Sequence, residues 1–297
     1  PIARYRTVEA NDLNVFYREA GPTEAPVILL LHGFPSSSHM FRELIPLLAT
    51  GYRVIAPDYP GFGHSDAPRA EQFEYTFDRL ADVIERLLEK LQIDRFTMYI
   101  QDYGAPVGFR IATRHPGRIQ ALVVQNGNAY MDGFSAEEFE RMKPFWETRN
   151  PESEKLARTL LTRDATIFQY THGVPDPSLV SPDAWTFDQA LLDRPGNDLI
   201  QLALLYDYRT NPPLYPKWQA CLREHQPPTL IVWGRNDPIF TADGARAYLR
   251  DLPGAELHLL DSGHFALEDS LTIIAPLMLR FLDAHVQASA QVARAEE

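Results

Sequence analysis

The sequence predicts an α/β fold: a mostly parallel central sheet, helices on both faces, and a helical segment inserted after about the sixth strand. Three observations predict it. Short apolar runs alternate with stretches of helical period across residues 1–128. That alternation stops between residues 129 and 218, where helical stretches and Pro/Gly turns follow one another without a buried strand. It then resumes over residues 219–297. Strands alternating with helices at these lengths form parallel sheets, because each crossover helix must cover a sheet face. The expected organisation is therefore a core domain in two parts, 1–128 and 219–297, with a helical cap at 129–218.

The elements follow in order. Leu13 to Glu19 alternates apolar and polar, the period of a half-exposed strand. Val27 to Leu31 is apolar throughout, as in a strand buried on both faces. Ser36, Ser37 and Ser38 offer caps ahead of a helical stretch from Met40 to Leu48. Arg53 to Ala56 is a short strand closed by Pro57-Asp58. Tyr75 to Leu91 places Leu80, Val83, Ile84, Leu87 and Leu88 on one helical face. Phe96 to Ile100 and Ile119 to Val124 are strands flanking a helix from Val107 to His115. The insertion carries helical stretches at Ser135–Phe145, Glu152–Leu161 and Asp198–Tyr208. Thr229 to Trp233 is the next buried strand, followed by a helix at Ala245–Leu252, a strand at Glu256–Leu260 and a helix at Leu271–His285. The polar tail from Gln287 is expected to fray.

Composition narrows the function. The chain has 297 residues, 45% of them hydrophobic, with a net charge of −12. Such an acidic chain repels phosphate backbones, which argues against nucleic acid as a partner. One cysteine, Cys221, permits neither an internal disulfide nor a thiolate metal cage. Scattered histidines without an H-E-x-x-H pattern give no metal site. Gly61-Phe62-Gly63 lacks the third glycine of a dinucleotide loop. Pro1 to Arg6 lacks the apolar run of a signal peptide, and no stretch has the ~20 apolar residues of a membrane helix. The expectation is a cytoplasmic protein with no membrane partner; a homodimer stays open.

In open α/β sheets the chemistry sits at the carboxyl ends of strands. Four such ends carry His32-Gly33-Phe34-Pro35, Gln101-Asp102-Tyr103-Gly104, Gly234-Arg235-Asn236-Asp237 and Asp261-Ser262-Gly263-His264. Each residue alone has an ordinary structural role. Asp102 could be a helix cap, Asp237 a turn residue and His264 a surface side chain. His32 and Asp58 are read as shaping the loops beside the site. Only the set, in the order carboxylate, carboxylate, histidine, points to chemistry.

With Asp58-Tyr59-Pro60-Gly61-Phe62-Gly63-His64-Ser65-Asp66 added, these motifs resemble the α/β-hydrolase family over the whole chain, cap included. That family places nucleophile, acid and histidine in this order, the nucleophile on a strand-to-helix elbow. The elbow here holds Asp102, and no G-x-S-x-G occurs, so the resemblance is to members with an aspartate nucleophile: epoxide hydrolases, haloalkane dehalogenases and fluoroacetate dehalogenases. It implies that Asp102 attacks carbon to form an alkyl ester, and that His264, held by Asp237, activates water to cleave it. The backbone N–H groups of Phe34 and Tyr103 would form the oxyanion hole. No cofactor is implied.

The leaving group separates the members. Haloalkane dehalogenases supply side-chain N–H donors where this chain has Tyr103 and Phe34. Fluoroacetate dehalogenases use arginines near the elbow, where this chain has Tyr103 and Val107. The branched Ile100, by contrast, is like haloalkane dehalogenases. Epoxide hydrolases provide acidic phenols from the cap, which here contains Tyr130, Tyr170, Tyr206, Tyr208 and Tyr215. Tyr208-Arg209-Thr210-Asn211 resembles the segment of one such tyrosine; Phe168-Gln169-Tyr170 resembles the other, with His172 as its substitute. The expected function is hydrolysis of a small apolar epoxide by water to a vicinal diol. The alternatives are a haloalkane or haloacid dehalogenase and a non-catalytic binding homologue.

Overall fold

The computed structural model describes residues 2–287; the tail expected to fray lies, beyond Gln287, outside them. Eight strands form one sheet in the order β1-β2-β4-β3-β5-β6-β7-β8. They are β1 (Arg4–Ala10), β2 (Leu13–Ala20), β3 (Val27–Leu31), β4 (Arg53–Pro57), β5 (Phe96–Gln101), β6 (Ile119–Gln125), β7 (Thr229–Gly234) and β8 (Glu256–Leu260). β1 and β2 pair antiparallel, as do β2 and β4; every other pairing is parallel. β1 was not legible, because its side chains are mostly exposed and carry no apolar alternation. Its pairing is dictated by the two-residue turn Asn11-Asp12, both at positive φ, which folds β1 back on β2.

Eleven α-helices of the described residues complete the fold. In the first part of the core are α1 (Leu44–Leu48), α2 (Phe77–Lys90) and α3 (Gly104–Arg114). Between β6 and β7 lie α4 (Ala136–Glu147), α5 (Pro151–Arg158), α6 (Arg163–Thr171), α7 (Pro182–Leu192), α8 (Asn197–Asp207) and α9 (Tyr215–His225). The chain closes with α10 (Ala242–Ala247) and α11 (Leu267–Leu282). None is long and apolar enough to cross a membrane.

The strands alternate their side chains between two apolar layers. Leu29 and Leu31 of β3 pack in the layer of α2 and α3, while Ile28 and Leu30 pack in that of α1 and α11. That double burial explains why these strands read as unbroken apolar runs. α9 runs through position 218, the expected end of the cap, and stacks Trp218 on Phe109 of α3 at 5.3 Å. α6 and α7 escaped the apolar-period reading because their inner faces are partly polar. Thr166, Gln169, Asp188 and Gln189 are all buried, and Thr166 Oγ1 donates to Gln189 Oε1 at 2.7 Å.

Candidate active site

The site grows from the turn between β5 and α3. Asp102 sits there at φ +47°, a left-handed conformation that costs a non-glycine residue about 1–2 kcal/mol. Two glycines make room for the turn. A Cβ on Gly104 would lie 2.3 Å from Leu31 O, and one on Gly33 would lie 2.3 Å from Asp102 Cβ. The loop after β3 thus comes into contact with the elbow. Phe34 N donates to Asp102 Oδ1 at 2.7 Å, and the Tyr103 N–H also hydrogen-bonds the carboxylate. His32 fixes that loop: its Nδ1 lies 3.0 Å from Gly33 O, and Tyr59 N donates to its Nε2 at 3.2 Å. Burial lowers the His32 pKa to about 4, so the ring is neutral and structural. Asp58 is structural too, accepting from Ser38 N at 2.7 Å and His64 N at 2.9 Å.

The other carboxylate oxygen, Oδ2, lies 3.7 Å from His264 Nε2. His264 Nδ1 is 2.7 Å from Asp237 Oδ2. Asp237 Oδ1 accepts from Ile239 N at 2.7 Å and Phe240 N at 3.2 Å, and Asn126 Nδ2 donates to its Oδ2 at 2.8 Å. The strand ends thus bring Asp102, His264 and Asp237 into one buried chain. Burial raises the Asp102 pKa, opposed by His264 and by the Phe34 and Tyr103 N–H groups. Burial disfavours the His264 imidazolium, but the charge and hydrogen bond of Asp237, with the charge of Asp102, outweigh it and leave the pKa raised.

Asp102 opens into a cavity of about 190 Å³, lined among others by Phe34, Tyr103, Trp146, Phe168, Tyr208 and Phe240. Tyr208 stacks on Trp146 at 5.9 Å. Its hydroxyl is hydrogen-bonded to Tyr215, which accepts from Asn128 Nδ2 at 3.4 Å. Burial, then the proximity of Tyr215 and Asp102, holds the Tyr208 phenol well above its ordinary pKa, so it stays protonated.

Tyr170 does not belong to this cavity. Its hydroxyl turns away to Asp188 Oδ2 at 2.5 Å, with Ser36 Oγ at 3.5 Å, and its ring stacks on Phe265 at 4.0 Å. The reason is helical register. Ala165, Phe168 and Gln169 share the face of α6 that lines the cavity, and Tyr170, one residue on, is rotated off it. His172 is no substitute: it lies outside the cavity lining and packs on Phe168 at 4.5 Å. Tyr130 is likewise committed elsewhere, donating to Asp251 Oδ2 at 2.6 Å.

Asn126 and Gln169 are functional candidates that the sequence did not reveal. Asn126 follows the end of β6, a strand end without a motif. Gln169 enters the cavity, and its side chain has no hydrogen-bond partner among the described residues.

A buried carboxylate that meets backbone N–H groups and faces a carboxylate-held histidine is an arrangement able to support nucleophilic and general-base chemistry. The profile of the α/β hydrolase fold matches residues 26–271, so the chain belongs to the α/β-hydrolase fold family. An uncharacterized hydrolase of Saccharomyces cerevisiae is 46% identical over 92% of this chain and 95% of its own length. Haloalkane dehalogenase 1 of Mycobacterium tuberculosis is 32% identical over 87% of this chain and 84% of its own. The crystal structure of a haloalkane dehalogenase from Bradyrhizobium elkani shares the fold, with a TM-score of 0.78 at 22% identity over 97% of this chain and all of that one.

Proposed function

We propose that the protein hydrolyses small apolar epoxides to vicinal diols through an ester on Asp102. One observation carries this reading. The protonated phenol of Tyr208 lines the same cavity as the Asp102 carboxylate, while side-chain N–H donors for a halide are scarce there. Phe34 and Tyr103 offer none, and the Trp146 indole N–H is already given to Leu205 O at 2.9 Å. The Arg141 guanidinium is paired with Glu138. A halide leaves as a stable anion, whereas an opening epoxide leaves as a basic alkoxide and needs a proton.

In the first step Asp102 Oδ2 bonds an epoxide carbon, the C–O bond breaks, and the alkoxide takes the Tyr208 proton, which turns from Tyr215 to reach it. In the second, His264 removes a proton from water, which attacks Cγ of the ester. Negative charge collects on Oδ1, where the Phe34 N–H meets it, with the Tyr103 N–H also at the carboxylate. Collapse releases the diol. The departing ester oxygen takes the proton held by His264, the proton left on the Asp102 carboxyl returns to the Tyr208 phenolate, and the reaction balances with epoxide and water alone.

The second reading, dehalogenation of a haloalkane, is favoured by the named relatives and by the free amide of Gln169 in the cavity. Assay of diol and halide release over panels of epoxides and haloalkanes, with Asp102→Ala as control, distinguishes them. Halide release without diol formation overturns the epoxide reading.

A further inference from the structure

Gln101, the last residue of β5, is a polar side chain against His264 to which the steps above give no task. It is fully buried, and its Nε2 lies 3.1 Å from His264 Nε2. Its Oε1 is buried without a partner. Since His264 gives its Nδ1 proton to Asp237, Nε2 carries the lone pair, and the Gln101 amide donates into it. That lone pair is the one that must receive a proton from water.

The amide oxygen also lies beside Gly33, on the side that Asp102 Oδ1 occupies. A Cβ on Gly33 would meet Gln101 Oε1 at 2.5 Å and Asp102 Oδ1 at 2.6 Å, so the two oxygens flank the same Cα. An amide oxygen buried and unbonded is unfavourable, since it has given up its bonds to water without replacement. A small ligand with hydrogens to give would complete it, and the second half-reaction brings one.

We infer that Gln101 positions the hydrolytic water. This rests on the covalent reading above, but not on the nature of the leaving group. Water takes the place of the Gln101 N–H at His264 Nε2 and gives its second hydrogen to Gln101 Oε1, so that a lone pair faces Cγ of Asp102. The oxygen of that water then bonds Cγ as one proton passes to Nε2 and the carbonyl pair moves onto Oδ1. The carbonyl re-forms, the Cγ–Oδ2 bond breaks, and the departing alkoxide takes the proton from His264. Asp102 keeps the solvent oxygen and sheds that water's remaining proton, to the Tyr208 phenolate after epoxide opening or to solvent after halide loss, and the product leaves with Oδ2.

The test follows the intermediate. The full-length wild type, Gln101→Met, Gln101→Asn and His264→Phe are mixed with the epoxide or haloalkane the wild type turns over fastest, quenched, and weighed by mass spectrometry. In both Gln101 variants the ester should form at the wild-type rate and then persist, with hydrolysis slowed about 10–100-fold, within the range of a lost positioning contact. At steady state kcat and KM should fall together and kcat/KM should hold. A structural role would lower kcat/KM instead, and that result overturns the inference. So does wild-type hydrolysis in either variant, or an ester that persists in His264→Phe and in neither Gln101 variant. No ester on Asp102 in His264→Phe with any substrate overturns the covalent reading itself, and the inference with it.

Discussion

Arg110 Nη1 donates to Asn211 Oδ1 at 2.8 Å, and this bond ties the helix that begins at the Asp102 elbow to the turn that carries Tyr208. Arg110 is buried on α3. It also donates to Thr210 Oγ1 at 3.2 Å, to the carbonyl of Pro106 at 3.1 Å and, through Nε, to Asp78 Oδ1 at 2.5 Å. The distance between carboxylate and phenol is thus set by one guanidinium as well as by packing.

Arg110→Met keeps the apolar stem and removes these bonds. Loss of charged hydrogen bonds of about 1.5–3 kcal/mol should lower Tm by roughly 2–5 °C. A displaced Tyr208 should lower kcat/KM for epoxide opening by up to about 100-fold, the cost of misplacing a catalytic group by an ångström. Scanning calorimetry and diol assay read both. A lower Tm with unchanged kcat/KM would show that Tyr208 holds its place without Arg110.

Tyr208→Phe and Tyr170→Phe should part company. Tyr208→Phe removes the phenol in the cavity, and a lost general acid is worth about 10²–10⁴-fold in rate. Tyr170→Phe removes a hydroxyl committed to Asp188, so epoxide turnover should change less than about threefold while Tm falls. Single-turnover epoxide opening decides between them, and equal losses in the two variants would count against the geometry described for α6.

The difference between these tyrosines marks where sequence reading ran out. Val27–Leu31 and Thr229–Trp233 were legible because burial on both faces leaves an unbroken apolar run. That Asp102, Asp237 and His264 stand close together was legible from their places at strand ends, which the chain order fixes. Tyr170 was misassigned because its helix buries Thr166 and Gln169, so no apolar stripe showed which face turns inward. One residue along an α-helix is a rotation of about 100°, enough to exchange Tyr170 for Gln169 in the cavity. Gln101 and Asn126 carry no motif of their own; only the contacts with His264 and Asp237 reveal them.

The pH dependence of turnover should report His264. The ring must be neutral to take a proton from water, and its pKa is raised, so the acid limb of kcat should lie above 6.5, the ordinary histidine value. Asp237→Asn removes the charge that raises it, and burial then acts in the other direction. The limb should move to lower pH as the plateau falls by about 10²–10⁴-fold. A limb that stays in place in the kcat–pH profile of Asp237→Asn would assign it to another group.

Asp188 supplies a prediction about stability. It is fully buried on α7, faces Tyr170, Ser36, Glu268 and Arg42, and its Oδ1 has no partner. Burial pushes its pKa up to about 8, partly offset by hydrogen bonds from Tyr170 and Ser36. The unfolded value is about 3.9, so the folded state holds this proton more tightly. By linkage, the stability it confers is full below about pH 4 and is lost as the pH rises through about 8. An asparagine amide in its place would accept the Tyr170 hydroxyl without ever ionising. Asp188→Asn should therefore melt at a higher temperature than the wild type at pH 8, with the gap closing toward pH 4. The raised pKa of Asp102 has the same sign but is common to both proteins, so it cancels in the difference. Calorimetry across that range provides the check: Tm curves running parallel would mean that Asp188 does not titrate within the fold.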